Sequence, residues 1–282
     1  MSLLVFGQTG QVAQGLRQMP GVQTLGRADA DLRAPADCAG MIRARRPEAV
    51  INAAGWTAVD DAEDHEAAAH VVNADAPGAM ATACACLGIP LVHLSTDYVF
   101  DGSGDRPFAP GDPTGPLNAY GRSKLAGEQA VRSANGVHVI LRTSWVFSAH
   151  GANFVKTMLR LGATRETLPV VADQIGGPTP ADALAAACLR ISAGLRAAPG
   201  LSGTYHLSGV PDASWAGFAA EIFAQADLPC AVTPIPTTEF PTKAARPTNS
   251  RLCCDSLQDA FGIQRPDWRV HLAQVLSILK GV

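Results

Sequence analysis

The chain has 282 residues, 47% of them hydrophobic, with 22 lysines and arginines against 25 aspartates and glutamates and a formal net charge of -3. That balance leaves no basic footprint for nucleic acid or anionic lipid, and no uninterrupted apolar run approaches the roughly 20 residues that span a bilayer. Such a length can bury a sizeable core, as one large domain or two smaller ones, and a small-molecule ligand is the better expectation.

The first apolar run, Leu3-Leu-Val-Phe6, has strand length, turns through Gly7-Gln-Thr-Gly10 and opens into a helix at Gln11-Val-Ala13. A strand, glycine turn and helix in this order aim free backbone N–H groups and a positive helix end at an anion, normally a dinucleotide pyrophosphate. The spacing is Gly-x-x-Gly-x-x-Ala, and Ala13 meets the need for a small third residue. A second strand, Val22 to Leu25, leads into Gly26-Arg27-Ala-Asp-Ala-Asp31-Leu32. At this place an acid bonds a ribose 2′-OH and an arginine pairs with a 2′-phosphate, so Arg27 favours NADPH.

A third strand, Ala49 to Ala53, ends in small residues up to Gly55, which would let a cofactor lie close to the backbone. The acidic run Asp60, Asp61, Glu63, Asp64 and Glu66 then precedes an Ala-rich helix from Glu66 to Leu87, closed by Gly88 before Pro90. Carboxylates are favoured at a helix N-terminus, which accounts for the run. The strand Leu91 to Leu94 ends in Ser95-Thr96-Asp97-Tyr98, hydroxyls at the carboxyl end of a strand, where open α/β sheets bind ligands. Glycines and prolines exclude regular structure from 102 to 117, either a cover over the substrate or a passive connection.

Tyr120-Gly-Arg-Ser-Lys124 opens the next helical pattern, and residues four apart share a helix face. A phenol with a reference pKa of about 10 would be lowered by the adjacent ammonium, so Lys124 is expected to tune Tyr120 as an acid. A fifth strand, Val137 to Leu141, completes the alternation of a parallel sheet with helices on both faces. Beyond Trp145 the pattern is less regular, although Ala181 to Arg196 reads as a helix and Gly203 to Leu207 as a strand returning to the sheet. The turn-like Arg246-Pro-Thr-Asn-Ser250 suits a substrate diphosphate. Seven cysteines without a Cys-x-x-Cys pair read as reduced, buried residues of a cytoplasmic protein, and seven histidines without a His-x-x-x-His pair offer no zinc site.

Gly7-Gln-Thr-Gly-Gln-Val12, Thr57-Ala-Val-Asp-Asp-Ala-Glu63, Ser95-Thr-Asp-Tyr-Val-Phe-Asp-Gly102, Tyr120-Gly-Arg-Ser-Lys124, Arg142-Thr-Ser-Trp-Val-Phe147, Asp173-Gln174 and Arg246-Pro247, in this order, resemble the extended short-chain dehydrogenase/reductases. The resemblance covers nearly the whole chain and is most specific around Thr96. It implies an α/β fold, a Rossmann-type doubly wound parallel sheet with a smaller C-terminal substrate domain. Residues 1–150 would form the dinucleotide-binding domain, which also receives about 165–207; residues 208–282, with a contribution from about 151–164, would form most of the substrate domain.

The resemblance further implies NADPH, with NADH possible, held by Gly7, Gly10, Gln11, Val12, Arg27, Asp31, Leu32, Gly55, Trp56, Thr57, Tyr120 and Lys124. Thr96, Tyr120 and Lys124 would be catalytic, and Thr96, Asp97, Tyr98, Trp145 and Arg246 would bind substrate. The implied reaction is reduction of the 4-keto group of a deoxyhexose carried by thymidine diphosphate. Another nucleotide-sugar reductase or an epimerase could use the same three residues; an epimerase would show no net oxidation of added NADPH. A regulatory subunit like the β subunit of methionine adenosyltransferase is the non-enzyme alternative, and retention of Thr96, Tyr120 and Lys124 argues against it. Some similar proteins form a magnesium-bridged dimer through a glutamate early in the first helix, where this chain has Gly15. No metal is therefore expected, and the chain would be a monomer or a differently formed dimer.

Overall fold

The computed structural model describes residues 2–281. Its first half runs β1 (Leu3–Phe6), α1 (Gln11–Arg17), β2 (Val22–Leu25), α2 (Pro35–Arg45), β3 (Ala49–Asn52), α3 (Val59–Ala62), α4 (Glu66–His70), α5 (Ala76–Leu87), β4 (Leu91–Thr96), α6 (Ala119–Ser133) and β5 (His138–Thr143). The elements then shorten: β6 (Val146–Phe147), α7 (Phe154–Gly162), β7 (Thr167–Val171), β8 (Ile175–Gly176), β9 (Thr179–Pro180), α8 (Ala181–Ala197) and β10 (Gly203–His206). The last part holds β11 (Ala213–Ser214), α9 (Trp215–Ala226), β12 (Ala231–Ile235), β13 (Asn249–Ser250), α10 (Asp255–Phe261) and α11 (Trp268–Lys280).

The main sheet has six parallel strands in the order β10-β5-β4-β3-β1-β2. Its central strands are apolar on both faces, as a sheet covered twice requires. Leu3, Val5, Ile51, Val92 and Leu141 pack with α1, α8 and α10, while Leu4, Phe6, Val50, Leu91 and Ile140 pack with α2, α5 and Val131 of α6. The order reverses between β1 and β3, so the carboxyl ends of these strands part and leave a crevice.

The expected helix from Glu66 to Leu87 is present but not uniform: Val71–Asp75 forms a π-helical turn between α4 and α5. Pro77 is the physical reason, since it lacks the N–H that would bond the Asn73 carbonyl and its ring crowds that group. The released carbonyl faces Gly127 of α6, where any Cβ would collide with it.

A second layer is built around Phe147, Val155, Leu168, Val170, Phe218, Ile222, Trp268 and Leu272. Strand β7 pairs with β12, and β8 lies between β11 and β13. Packing contacts cross the expected boundaries at about 165 and 208. Residues 167–176 join the C-terminal layer through β7 and β8, whereas Leu257 and Phe261 of α10 pack back against α8 and the main sheet. Among the described residues no helix is long and apolar enough to cross a membrane.

Candidate active site

A cleft of about 920 Å³ opens at the reversal of the sheet, bounded by the ends of β1, β2, β3 and β4 and by the start of α6. Gly7, at φ +118°, lies so close to β3 that a Cβ would stand 3.2 Å from the Ala53 carbonyl and 3.3 Å from the Ala13 methyl. Only glycine combines this backbone with this approach. Gly10 caps α1 with extended backbone and no side-chain cap, so the first N–H groups of the helix are left to the cleft. Val12 lines the cleft from the core beneath it. Gln11 lines it too, but its side chain is engaged elsewhere: Nε2 donates to Val146 O (3.2 Å), and Oε1 accepts from Ser148 and Asn153 (2.9 Å each).

Arg27, Asp31 and Leu32 line the end of the cleft beside β2, together with Arg33, which the sequence reading missed. Arg33 bonds both Asp31 oxygens, from its backbone N (2.9 Å), Nε (2.9 Å) and Nη2 (2.6 Å), and these bonds hold the Asp31 carboxyl below its usual range. Asp31 is thereby less available to a ribose hydroxyl, and two guanidiniums stand at this end. The only signal was a second arginine two residues beyond the acid.

Gly55, Trp56 and Thr57 form the facing wall. Asn73, aimed by the π turn, holds it: Oδ1 accepts from Trp56 N (2.8 Å), while Nδ2 donates to Trp56 O and to Ser123 Oγ (3.0 Å each). One side chain thus joins the cofactor wall to α6, and nothing in an Ala-rich stretch announced it.

Tyr120 and Lys124 line the inner end of the cleft, and Thr96 stands against the Tyr120 phenol. Thr96 closes β4; its hydroxyl donates to Asp97 Oδ1 (3.0 Å), accepts from Tyr98 N (3.2 Å) and lies within hydrogen-bonding reach of the Tyr120 phenol. Tyr120 stands in the first turn of α6, whose start is fixed by Asn118 accepting from Gly121 N (2.8 Å). Lys124 is buried one turn on, and its ammonium donates to Leu94 O (2.6 Å). The ammonium is turned to the Leu94 carbonyl, and the surroundings of the phenol itself set its proton affinity. Burial pushes the phenol pKa up, Asp97 and Tyr98 add to this, and the Thr96 bond only partly opposes it. Burial also brings Lys124 down to about 8, against the pull of Glu128. A phenol in this state keeps its proton, as a donor must.

Asp97, expected at the substrate, is buried behind Thr96 and bonds Thr96 and Ser250; burial raises its pKa to about 6. Its side chain faces β13, and none of the expected substrate residues Thr96, Asp97, Tyr98, Trp145 and Arg246 lines the cleft itself. Tyr98 packs edge-on to Tyr120, with ring centroids 5.7 Å apart, and its hydroxyl accepts from Arg246 Nη1 (3.4 Å). Trp145 takes left-handed backbone, φ +51°, and stacks at 3.6 Å on Trp215, a partner that sequence spacing could not reveal. Trp215 is held in turn by Gln174 (3.1 Å).

The acidic run does more than serve helix dipoles. Glu63 accepts from the backbone N of Ala119 (2.8 Å) and Glu66 takes a two-pronged bond from Arg122, so both grip the start of α6. Asp60 accepts from Ala244 N (2.9 Å) and Arg246 Nη2 (2.6 Å), and Asp64 pairs with Lys243. The 102–117 connection is fastened as well: Arg142 donates to Pro110 O, Asn249 to Arg106 O, and Phe108 bridges to Leu252. Gly15 packs against Ala185 of α8, where a Cβ would lie 3.1 Å from the alanine methyl.

A six-stranded parallel sheet with a glycine cradle at its reversal, a tyrosine and lysine at the inner end of the same cleft and a threonine against the tyrosine defines a nicotinamide-dependent reductase with a Rossmann-type fold. The family described as RmlD substrate binding domain matches residues 1–280. A dTDP-4-dehydrorhamnose reductase of Sinorhizobium fredii is 48% identical over 278 residues, covering 95% of this chain and 94% of its own. A crystal structure of a dTDP-4-dehydrorhamnose reductase from Clostridium acetobutylicum is 35% identical with a TM-score of 0.92, over 99% of this chain and 100% of that one. Another from Bacillus anthracis, in complex with NADP, is also 35% identical with a TM-score of 0.90, over 98% and 99% of the two chains. The chain belongs to the dTDP-4-dehydrorhamnose reductase family.

Proposed function

We infer that this chain reduces the 4-keto group of dTDP-4-dehydro-L-rhamnose to give dTDP-L-rhamnose, with NADPH preferred and NADH accepted. The convergence of Thr96, Tyr120 and Lys124 on one end of the cleft carries the reading. The cleft fits a dinucleotide: the Gly7 and Gly10 turn admits a pyrophosphate against backbone N–H groups, and Arg27 and Arg33 suit a 2′-phosphate. NADPH, when bound, supplies the hydride.

The chain's own residues manage the oxygen. Thr96 turns its one hydroxyl proton from Asp97 to the carbonyl oxygen as negative charge develops there, and Tyr120 delivers its proton to that oxygen. The pushed-up phenol keeps this proton available. Lys124, charged below about pH 8, stabilises the phenolate that remains and holds the nicotinamide ribose. Tyr98, Trp145 and Arg246 line the sugar-diphosphate path, with Asp60 orienting Arg246 and Trp215 backing Trp145. Asp97 acts through Thr96. The substrate domain comprises α7, β7, β8 and most of 208–282 without α10, and the nucleotide domain takes the rest. We further propose a cytoplasmic enzyme that works as a monomer or homodimer.

The test is to mix the protein with dTDP-4-dehydro-L-rhamnose and NADPH, then NADH, and follow oxidation of the reduced nicotinamide. Rapid oxidation with dTDP-L-rhamnose as product supports the reading. A folded, nucleotide-binding protein that oxidises neither would overturn it.

A further inference from the structure

Glu128 lies on α6 one turn beyond Lys124 and is fully buried. Its oxygens accept four bonds: from Ser95 Oγ (2.7 Å), Arg142 Nε (2.8 Å), Arg142 Nη2 (2.7 Å) and Arg132 Nη2 (2.8 Å). Ser95 is the residue between Leu94, whose carbonyl receives the Lys124 ammonium, and Thr96. The helix bearing Tyr120 is thus fastened twice to the end of the strand bearing Thr96, once by Lys124 and once by Glu128.

We propose that Glu128 is a positioning residue for the reduction: its fixed carboxylate keeps the buried Lys124 ammonium charged and sets α6 in register with the end of β4. The role rests on the reading that Lys124 acts in turnover. Although burial pushes the Glu128 carboxyl up, the bonds from Arg142 and Ser95 hold it below the usual range, so it stays ionised. The other titratable groups about Lys124 give it no comparable support. His93 of β4 is buried and neutral, with its pKa held well below the ordinary value by burial. Tyr120 is protonated, and Asp97, in the turn after β4, faces Thr96 and Ser250. Arg142 of β5 and Arg132 further along α6 carry charge of the same sign as the ammonium. A carboxylate at i+4 is therefore the counter-charge that a buried lysine needs.

The test compares pH profiles of kcat/KM for NADPH oxidation in wild type, Glu128→Gln and the double variant Glu128→Gln/Arg142→Met. The double variant removes the buried pair together, a change that proteins often tolerate when loss of one partner unfolds them. In Glu128→Gln two arginines face Lys124 unopposed, and the midpoint of the alkaline limb should fall by about one pH unit, a roughly tenfold loss at fixed alkaline pH. In the double variant the midpoint should fall by roughly half as much, because one like charge leaves with the carboxylate. A scaffold role alone would lower activity evenly across pH. An alkaline midpoint unmoved in a folded variant, with normal wild-type turnover, overturns the role. Absence of wild-type oxidation overturns the reaction, and this role with it.

Discussion

Two charged residues outside the glycine turn line the cleft, and the role proposed for each can be tested by one substitution. Arg33 occupies Asp31 with three bonds, so the end of β2 presents positive charge where a free aspartate would select a ribose hydroxyl. Arg33→Ala should release that carboxylate and remove one phosphate partner, lowering the NADPH-to-NADH ratio of kcat/KM by roughly tenfold. An unchanged ratio would place the preference on Arg27 alone. Lys124 shows the cost of a buried charge. Its folded pKa of about 8 lies below the ordinary 10.5, so the unfolded chain binds its proton more tightly. The penalty is full below pH 8 and fades as pH rises towards the unfolded value. Lys124→Met should therefore raise the Tm at pH 7 by a few degrees, with the advantage narrowing towards about pH 10, while turnover is lost. A lower Tm at pH 7 would show that the bond to Leu94 outweighs the burial of the charge.

At the scale of elements, the site depends on how α6 is seated. Its start is gripped by Glu63 and Glu66, its middle by Asn73, and its inner face by Ser95. Gly127 is required because the Asn73 carbonyl, freed by the π turn, occupies the place of a Cβ. Gly127→Ala should destabilise the protein by about 1–3 kcal/mol through overpacking and should reduce kcat, since Tyr120 and Lys124 ride on the displaced helix. Calorimetry and steady-state kinetics on the same preparation check both parts. This seating was hidden from the sequence. Tyr120 and Lys124 were legible from their spacing, and Gly7 from the strand, turn and helix around it. Asn73 looked like one polar residue in an Ala-rich helix, and the acidic run had a sufficient local explanation in helix dipoles. The partners of these groups lie between 17 and 186 residues away in the chain, where no local periodicity reaches.

At the scale of the whole molecule, the six-stranded sheet was readable because buried parallel strands are continuous apolar runs, and each expected strand is present to within two residues. The C-terminal layer was not, because β8, β11 and β13 are two residues long and offer no apolar run or alternation to read. The burial that pushes the Tyr120 phenol up was also out of reach of the sequence, because it comes from elements distant in the chain. The proposed reaction has Tyr120 protonate the substrate oxygen. Tyr120→Phe removes only that proton donor, and the decisive measurement is its kcat beside its NADPH affinity. The account predicts a fall in kcat of roughly 10²- to 10⁴-fold with NADPH binding nearly unchanged. Near-normal turnover, or equal loss of turnover and cofactor binding, would contradict it.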